Sequence, residues 1–123
     1  MTARVLVVDD VPANVKLLEA RLSAEYFDVT TAQSGPEALA LCERAECDIV
    51  LLDVMMPDMD GPSTLRALQQ QRATKSIPVI FLTAKVQAAD REKFMQLGAR
   101  GIIPKPFDPL TLGQQIKDVL SWS

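Results

Sequence analysis

Four short apolar runs punctuate the chain, Val5 to Val8, Ile49 to Leu52, Pro78 to Leu82 and Ile102 to Ile103, and the segments between them carry apolar residues at helical spacing. None of these runs alternates with polar residues, so they predict strands covered on both faces, as in a parallel sheet wrapped by helices. A fifth segment does alternate: Phe27, Val29 and Thr31 fall on one side, Asp28 and Thr30 on the other. It predicts a strand at the sheet edge.

Boundary residues mark the helices. Leu17, Leu18, Ala20, Arg21 and Leu22 follow Pro12 in a first helix, and Ser34 with Glu37 forms a capping-box pattern around Pro36 for the second. Asp60, Gly61 and Pro62 open a third, which presents Leu65 and Leu68. A fourth runs from about Gln87 to Leu97, with Phe94 and Leu97 inward and Gly98 where a left-handed C-cap is needed. Asp108 and Pro109 have the N-cap and first-turn pattern of the last helix. The predicted fold is α/β: a doubly wound (βα)5 flavodoxin-like sandwich with a parallel five-stranded sheet in the order 2-1-3-4-5. No repeat, linker or low-complexity run interrupts residues 1–123, which are expected to form one domain with no output domain after the fifth helix.

Composition narrows the function. The chain has 123 residues, 48% of them hydrophobic and 24% charged, with a net charge of −3, so it fits one globular domain and lacks the basic surface of a direct nucleic-acid binder. The opening MTARVLVVDD fits neither a signal peptide nor a membrane span, and a cytoplasmic location is expected. Cys42 and Cys47 are read as unpaired thiols. The absence of histidine rules out a histidine base or phosphocarrier within the chain, so any such group must come from a partner.

In a doubly wound sheet, ligands bind beyond the carboxyl ends of the strands. Those ends carry Asp9 and Asp10, then Asp53, Thr83 and Lys105. Converging carboxylates repel, and a hard divalent cation with oxygen ligands relieves them; Mg2+ also leaves coordination positions for a phosphate oxygen. Lys105 could balance a transferred phosphoryl group, Thr83 could hydrogen-bond one of its oxygens, and Asp53 is the candidate nucleophile. Singly, Asp10 could serve only as a helix N-cap and Thr83 or Lys105 as surface residues; their joint placement at strand ends favours a site.

VLVVDD at 5 to 10, LLDVMMPDMDG at 51 to 61, FLTA at 81 to 84 and KPF at 105 to 107 resemble the receiver domains of two-component response regulators (CheY-like domains). DDVPANVKLLEARLSAEYFDV at 9 to 29 is particularly similar to the first receiver of PleD-type diguanylate cyclase regulators. The resemblance implies that Asp53 is the phosphoacceptor. It further implies that Asp10, Asp53 and the Met55 backbone carbonyl hold Mg2+, with Asp9 acting through a water, and that Thr83 and Lys105 contact the phosphoryl oxygens. Ala84 would leave the site open, and Lys105-Pro106 would be cis. The implied partners are a histidine kinase or histidine phosphotransfer protein and a downstream protein reading the face of the fourth helix, fifth strand and fifth helix, with a phosphorylation-dependent dimer as one mode of readout.

One departure stands out: receivers usually carry Tyr, Phe or His three residues before the lysine, where this chain has Ile102. It leaves open a phosphorylation-independent binding module of the same fold, while a larger regulator with a cyclase or DNA-binding output is a further alternative. An aspartate-nucleophile hydrolase is disfavoured because D-x-D-x-T is missing after the first strand. Phe94, Phe107 and Trp122 are expected to be packing residues. Met55, Met56 and Met59 are expected to pack within their loop, and Glu43, Glu46 and Asp48 to form a solvated face.

Overall fold

The computed structural model describes residues 2–44 and 47–120; Glu46 and Trp122 lie outside them. Strands and helices alternate in the order β1 (Arg4–Val8), α1 (Pro12–Ala24), β2 (Asp28–Ala32), α2 (Gly35–Arg44), β3 (Ile49–Asp53), α3 (Gly61–Gln69), β4 (Val79–Thr83), α4 (Ala88–Gln96), β5 (Gly101–Pro104) and α5 (Leu112–Leu120). All strand pairs are parallel and the sheet order is β2-β1-β3-β4-β5. The alternating segment forms an edge strand as expected, one residue later than its pattern suggested.

Successive strand side chains point to opposite faces, and this period divides the apolar core into two layers. Leu6, Val8, Val50, Leu52, Val79 and Phe81 pack with Ala38, Leu65, Leu68 and Phe94 of α2, α3 and α4. Val5, Val7, Ile49, Leu51, Ile80, Leu82 and Ile103 pack with Leu18, Leu22, Leu112 and Ile116 of α1 and α5. The non-alternating runs of β1, β3 and β4 are thus covered by two helical layers, whereas β5, predicted to be covered on both faces, forms the second sheet edge and leaves Ile102 half-buried. Phe94 joins the first layer and Phe107 borders the second, as their packing roles required.

Local signals explain most boundaries. Glu37 N–H donates to Ser34 Oγ at 3.2 Å, while the Glu37 carboxylate accepts from Gln33 N–H at 3.2 Å, one residue earlier than in a strict capping box. Asp60 caps α3 by accepting from Ser63 N–H, and Gly98 adopts φ 110° after α4. The Lys105-Pro106 peptide is cis.

The helix-cap alternative for Asp10 falls away, because the cap position of α1 is Val11, without a side-chain bond. Two expectations need correction. Asp108 does not start α5 directly, because its carboxylate accepts from Leu110 N–H at 2.9 Å and closes a tight turn. The helix therefore begins at Leu112. Asp48 is not simply solvated; it accepts from Arg4 N–H at 2.7 Å and ties the start of β1 to the entry of β3.

Candidate phosphoacceptor site

β1, β3, β4 and β5 lie side by side and parallel, so their carboxyl ends open on the same edge. Asp9 and Asp10 follow β1, Asp53 and Thr83 terminate β3 and β4, and Lys105 follows β5. Asp9 is fully enclosed, Asp53 is 3% exposed and Thr83 2%, whereas Asp10 is half-buried. One carboxylate oxygen from each of Asp9, Asp10 and Asp53 lies within 4.8 Å of the others. Such a donor set suits a hard divalent cation.

Lys105 spans the cluster. Its ammonium donates to Asp53 Oδ1 at 2.8 Å and to Asp9 Oδ2 at 3.2 Å. Asp9 also accepts from Val11 N–H at 2.9 Å on Oδ1 and from Asn14 Nδ2 at 3.2 Å on Oδ2. Among the described residues, the Asp10 carboxylate has no hydrogen-bonding partner and is free for another ligand.

Burial pushes the Asp53 carboxyl above its ordinary value and the neighbouring Asp9 charge adds to this, against the hydrogen bond and charge of Lys105 and a hydrogen bond from the Met55 backbone. Burial works against the Lys105 ammonium, but its contacts with Asp53 and Asp9 outweigh this and raise its value. Folding thus favours a proton on Asp53. Between the ordinary aspartate range and the raised value the native state binds more protons than the unfolded chain, so stability falls as pH rises through that window. In the absence of metal, Asp53→Asn is expected to stabilise the domain at pH 7, an advantage that fades in acid. Thermal midpoints across pH check this; an Asn variant no more stable than wild type at pH 7 contradicts it.

The other residues at this edge are arranged less symmetrically. Thr83 Oγ1 accepts from Lys85 N–H at 2.9 Å, and its own proton is turned to neither carboxylate by any contact within the described residues. Ala84 is exposed, leaving that flank open. Met55 is 65% exposed, so only Met56 and Met59 behave as loop-packing residues. Gly61 brings α3 against the end of β3: a Cβ there would lie 2.6 Å from the Asp53 carbonyl oxygen and 2.8 Å from Val54 Cα. Ile102 is half-buried, pairs with Phe81 and packs on the α2–α4 side.

Residues 5–117 match the response regulator receiver domain family. The chain belongs to that family. Response regulator PleD of Caulobacter vibrioides is 47% identical over 119 residues, which cover 97% of this chain and 26% of that protein. The receiver thus spans about a quarter of that relative's length. Chemotaxis protein CheY4 of Vibrio cholerae superposes with a TM-score of 0.91 at 33% identity, covering 97% of this chain and 99% of that one. The receiver domain of sensor histidine kinase PA1611 from Pseudomonas aeruginosa, solved with magnesium coordinated in its active-site cleft, superposes with a TM-score of 0.88 at 30% identity and covers 98% and 99% of the two chains.

In this receiver, the structure gathers all of the charged residues that the motifs singled out. What the motifs did not single out is Asn14, whose amide reaches back to Asp9 from the first turn of α1. A polar residue five positions after a strand-end aspartate, with one helical turn between them, was the available signal. Gly61 was noted only as a helix opener, and its close approach to Asp53 depends on backbone path rather than spacing. No helix among the described residues is long and apolar enough to cross a membrane. Cys42 and Cys47 form no disulfide; a thiol–thiol hydrogen bond between them, helped by burial, raises Cys42, and the same bond lowers Cys47 against the opposing effect of burial.

Proposed function

We propose that Asp53 takes a phosphoryl group from the phosphohistidine of a histidine kinase or histidine phosphotransfer protein. An Asp53 carboxylate oxygen forms the new bond to phosphorus, the phosphorus–nitrogen bond to the donor imidazole breaks, and the imidazole regains a proton from solvent. The observation that carries this reading is the nearly closed Asp53 carboxylate, set among two further acids with Lys105 at 2.8 Å. Asp10, Asp53 and the Met55 carbonyl would hold Mg2+, with Asp9 acting through a water. Bound there, the cation neutralises charge on the incoming phosphoryl oxygens.

Transfer would replace the Asp53–Lys105 contact with Lys105 on a phosphoryl oxygen and would draw the Thr83 hydroxyl away from Lys85 N–H toward another. Phosphorylation adds negative charge where two acids already lie, so these donors have strong reason to move. The rearranged β4–α4 segment would be read through the α4-β5-α5 face by a downstream protein or a second copy. Ile102 favours a second reading of the readout alone, in which Thr83 moves without an aromatic ring following it.

Titration with beryllofluoride and Mg2+, a stable phosphoryl mimic, tests the switch. Amide resonances of Thr83, Lys85, Lys105 and α4 are expected to shift in wild type and not in Asp53→Asn. Unchanged spectra around those residues in wild type would end the switch reading.

A further inference from the structure

The Asp9 carboxylate is completely enclosed, and its two oxygens are held differently. Oδ1 has a fixed backbone donor, Val11 N–H at 2.9 Å, whereas Oδ2 is shared between Asn14 Nδ2 and Lys105 Nζ, each at 3.2 Å. Lys105 has a second and shorter bond to Asp53 at 2.8 Å, which places it at the acceptor. It is the donor that a phosphoryl group would recruit. Asn14 has no other side-chain partner among the described residues, and its backbone is held in the first turn of α1, where Pro12 sets the helix direction and Asn14 N–H donates to the Val11 carbonyl at 3.0 Å.

We propose that Asn14 is a positioning residue for Asp9: its amide holds Oδ2 and fixes the carboxylate plane when a bound cation or a phosphoryl group draws Lys105 away. This rests on the reading of the acidic cluster as a Mg2+ site. An acid that acts on a cation through water depends on orientation more than on direct bonding, because a rotated carboxylate places its acceptor lone pairs away from the bound water. Residues that hydrogen-bond a metal-site carboxylate generally change metal affinity by about 10–100-fold when removed. Asn14 stands in that relation to Asp9. With Lys105 still on Oδ2 in the metal-free state, loss of the amide leaves Asp9 a donor on each oxygen, so the fold itself loses little.

Asn14→Ala removes the donor and the volume, while Asn14→Leu removes the donor and keeps a side chain of similar size. Mg2+ titrations followed by amide NMR, together with metal-free thermal midpoints, separate positioning from packing. Both variants are expected to bind Mg2+ about 10-fold more weakly than wild type. Their metal-free midpoints should stay close to wild type, and the rise in midpoint produced by a fixed Mg2+ concentration should be smaller. Wild-type affinity in both variants would overturn the role of Asn14 while leaving the metal site standing. A loss in Asn14→Ala that Asn14→Leu restores would also overturn it, since only packing would then be involved. A wild-type chain that binds no Mg2+ would overturn the metal reading and this inference together.

Discussion

Lys105→Ala is expected to slow phosphoryl incorporation from a small phosphodonor by about 10²–10³-fold, the usual loss when one charge-stabilising donor is removed from a transfer site. The ammonium is the only cation in contact with both Asp9 and Asp53 among the described residues, and those side chains are 0% and 5% exposed. On the proposed transfer it would serve both states, neutralising the paired acids before transfer and meeting the added oxygens afterwards. Lys105→Arg keeps the charge but replaces a compact ammonium with a planar fork, so only partial recovery is expected. Initial rates of acid-labile label incorporation measure both variants. A Lys105→Ala rate within threefold of wild type would show that the contact is structural only.

Phe81→Ala is expected to lower unfolding free energy by about 3–5 kcal/mol, a large share of the roughly 5–15 kcal/mol that holds such a domain together. Phe81 is fully buried in β4 and meets the Phe94 ring of α4 edge-on, with centroids 5.1 Å apart at 72°. Truncation removes that pair as well as the transfer energy of the ring, and the surrounding strands cannot close around the gap because β3 and β5 flank β4 on both sides. Urea unfolding should show a lower midpoint at an unchanged slope, and the thermal midpoint should fall by on the order of 10–20 °C. A loss below about 1 kcal/mol would mean that α4 does not depend on this contact. Because Thr83 lies two positions further along the same strand, loosening Phe81 should also broaden the Thr83 and Lys85 amide resonances.

The fold was legible where one physical cause dominated. The central strands β1, β3 and β4, buried on both faces, read as unbroken apolar runs, and the polar residues of β2 marked it as an edge, whereas the other edge, β5, was hidden by its apolar Ile102 and Ile103. Helix starts were legible where a side chain caps the helix, as at Asp60, and misread where an aspartate closes a local turn, as at Asp108. Both geometries use the same carboxylate and differ only in which N–H it meets. The gathering of Asp9, Asp10, Asp53 and Lys105 followed from parallel order, since strand ends are the positions that topology brings together. Asn14 and Gly61 were not legible in that way: one acts through a hydrogen bond across a helical turn, the other through the missing Cβ that lets α3 approach Asp53. Asp48 escaped for a similar reason, as its bond to Arg4 N–H joins segments far apart in the chain.

The position of the phosphoryl group tests most directly whether Asp53 is the acceptor. Incubation with a small phosphodonor and Mg2+, reductive trapping of the acyl phosphate with borohydride, and peptide mapping by mass spectrometry would locate it. The modified residue is expected at Asp53 alone, dependent on Mg2+ and absent from Asp53→Asn. Trapping at Asp9 or Asp10, or no modification of a folded wild-type chain in the presence of Mg2+ and a donor that labels a control receiver, would contradict it.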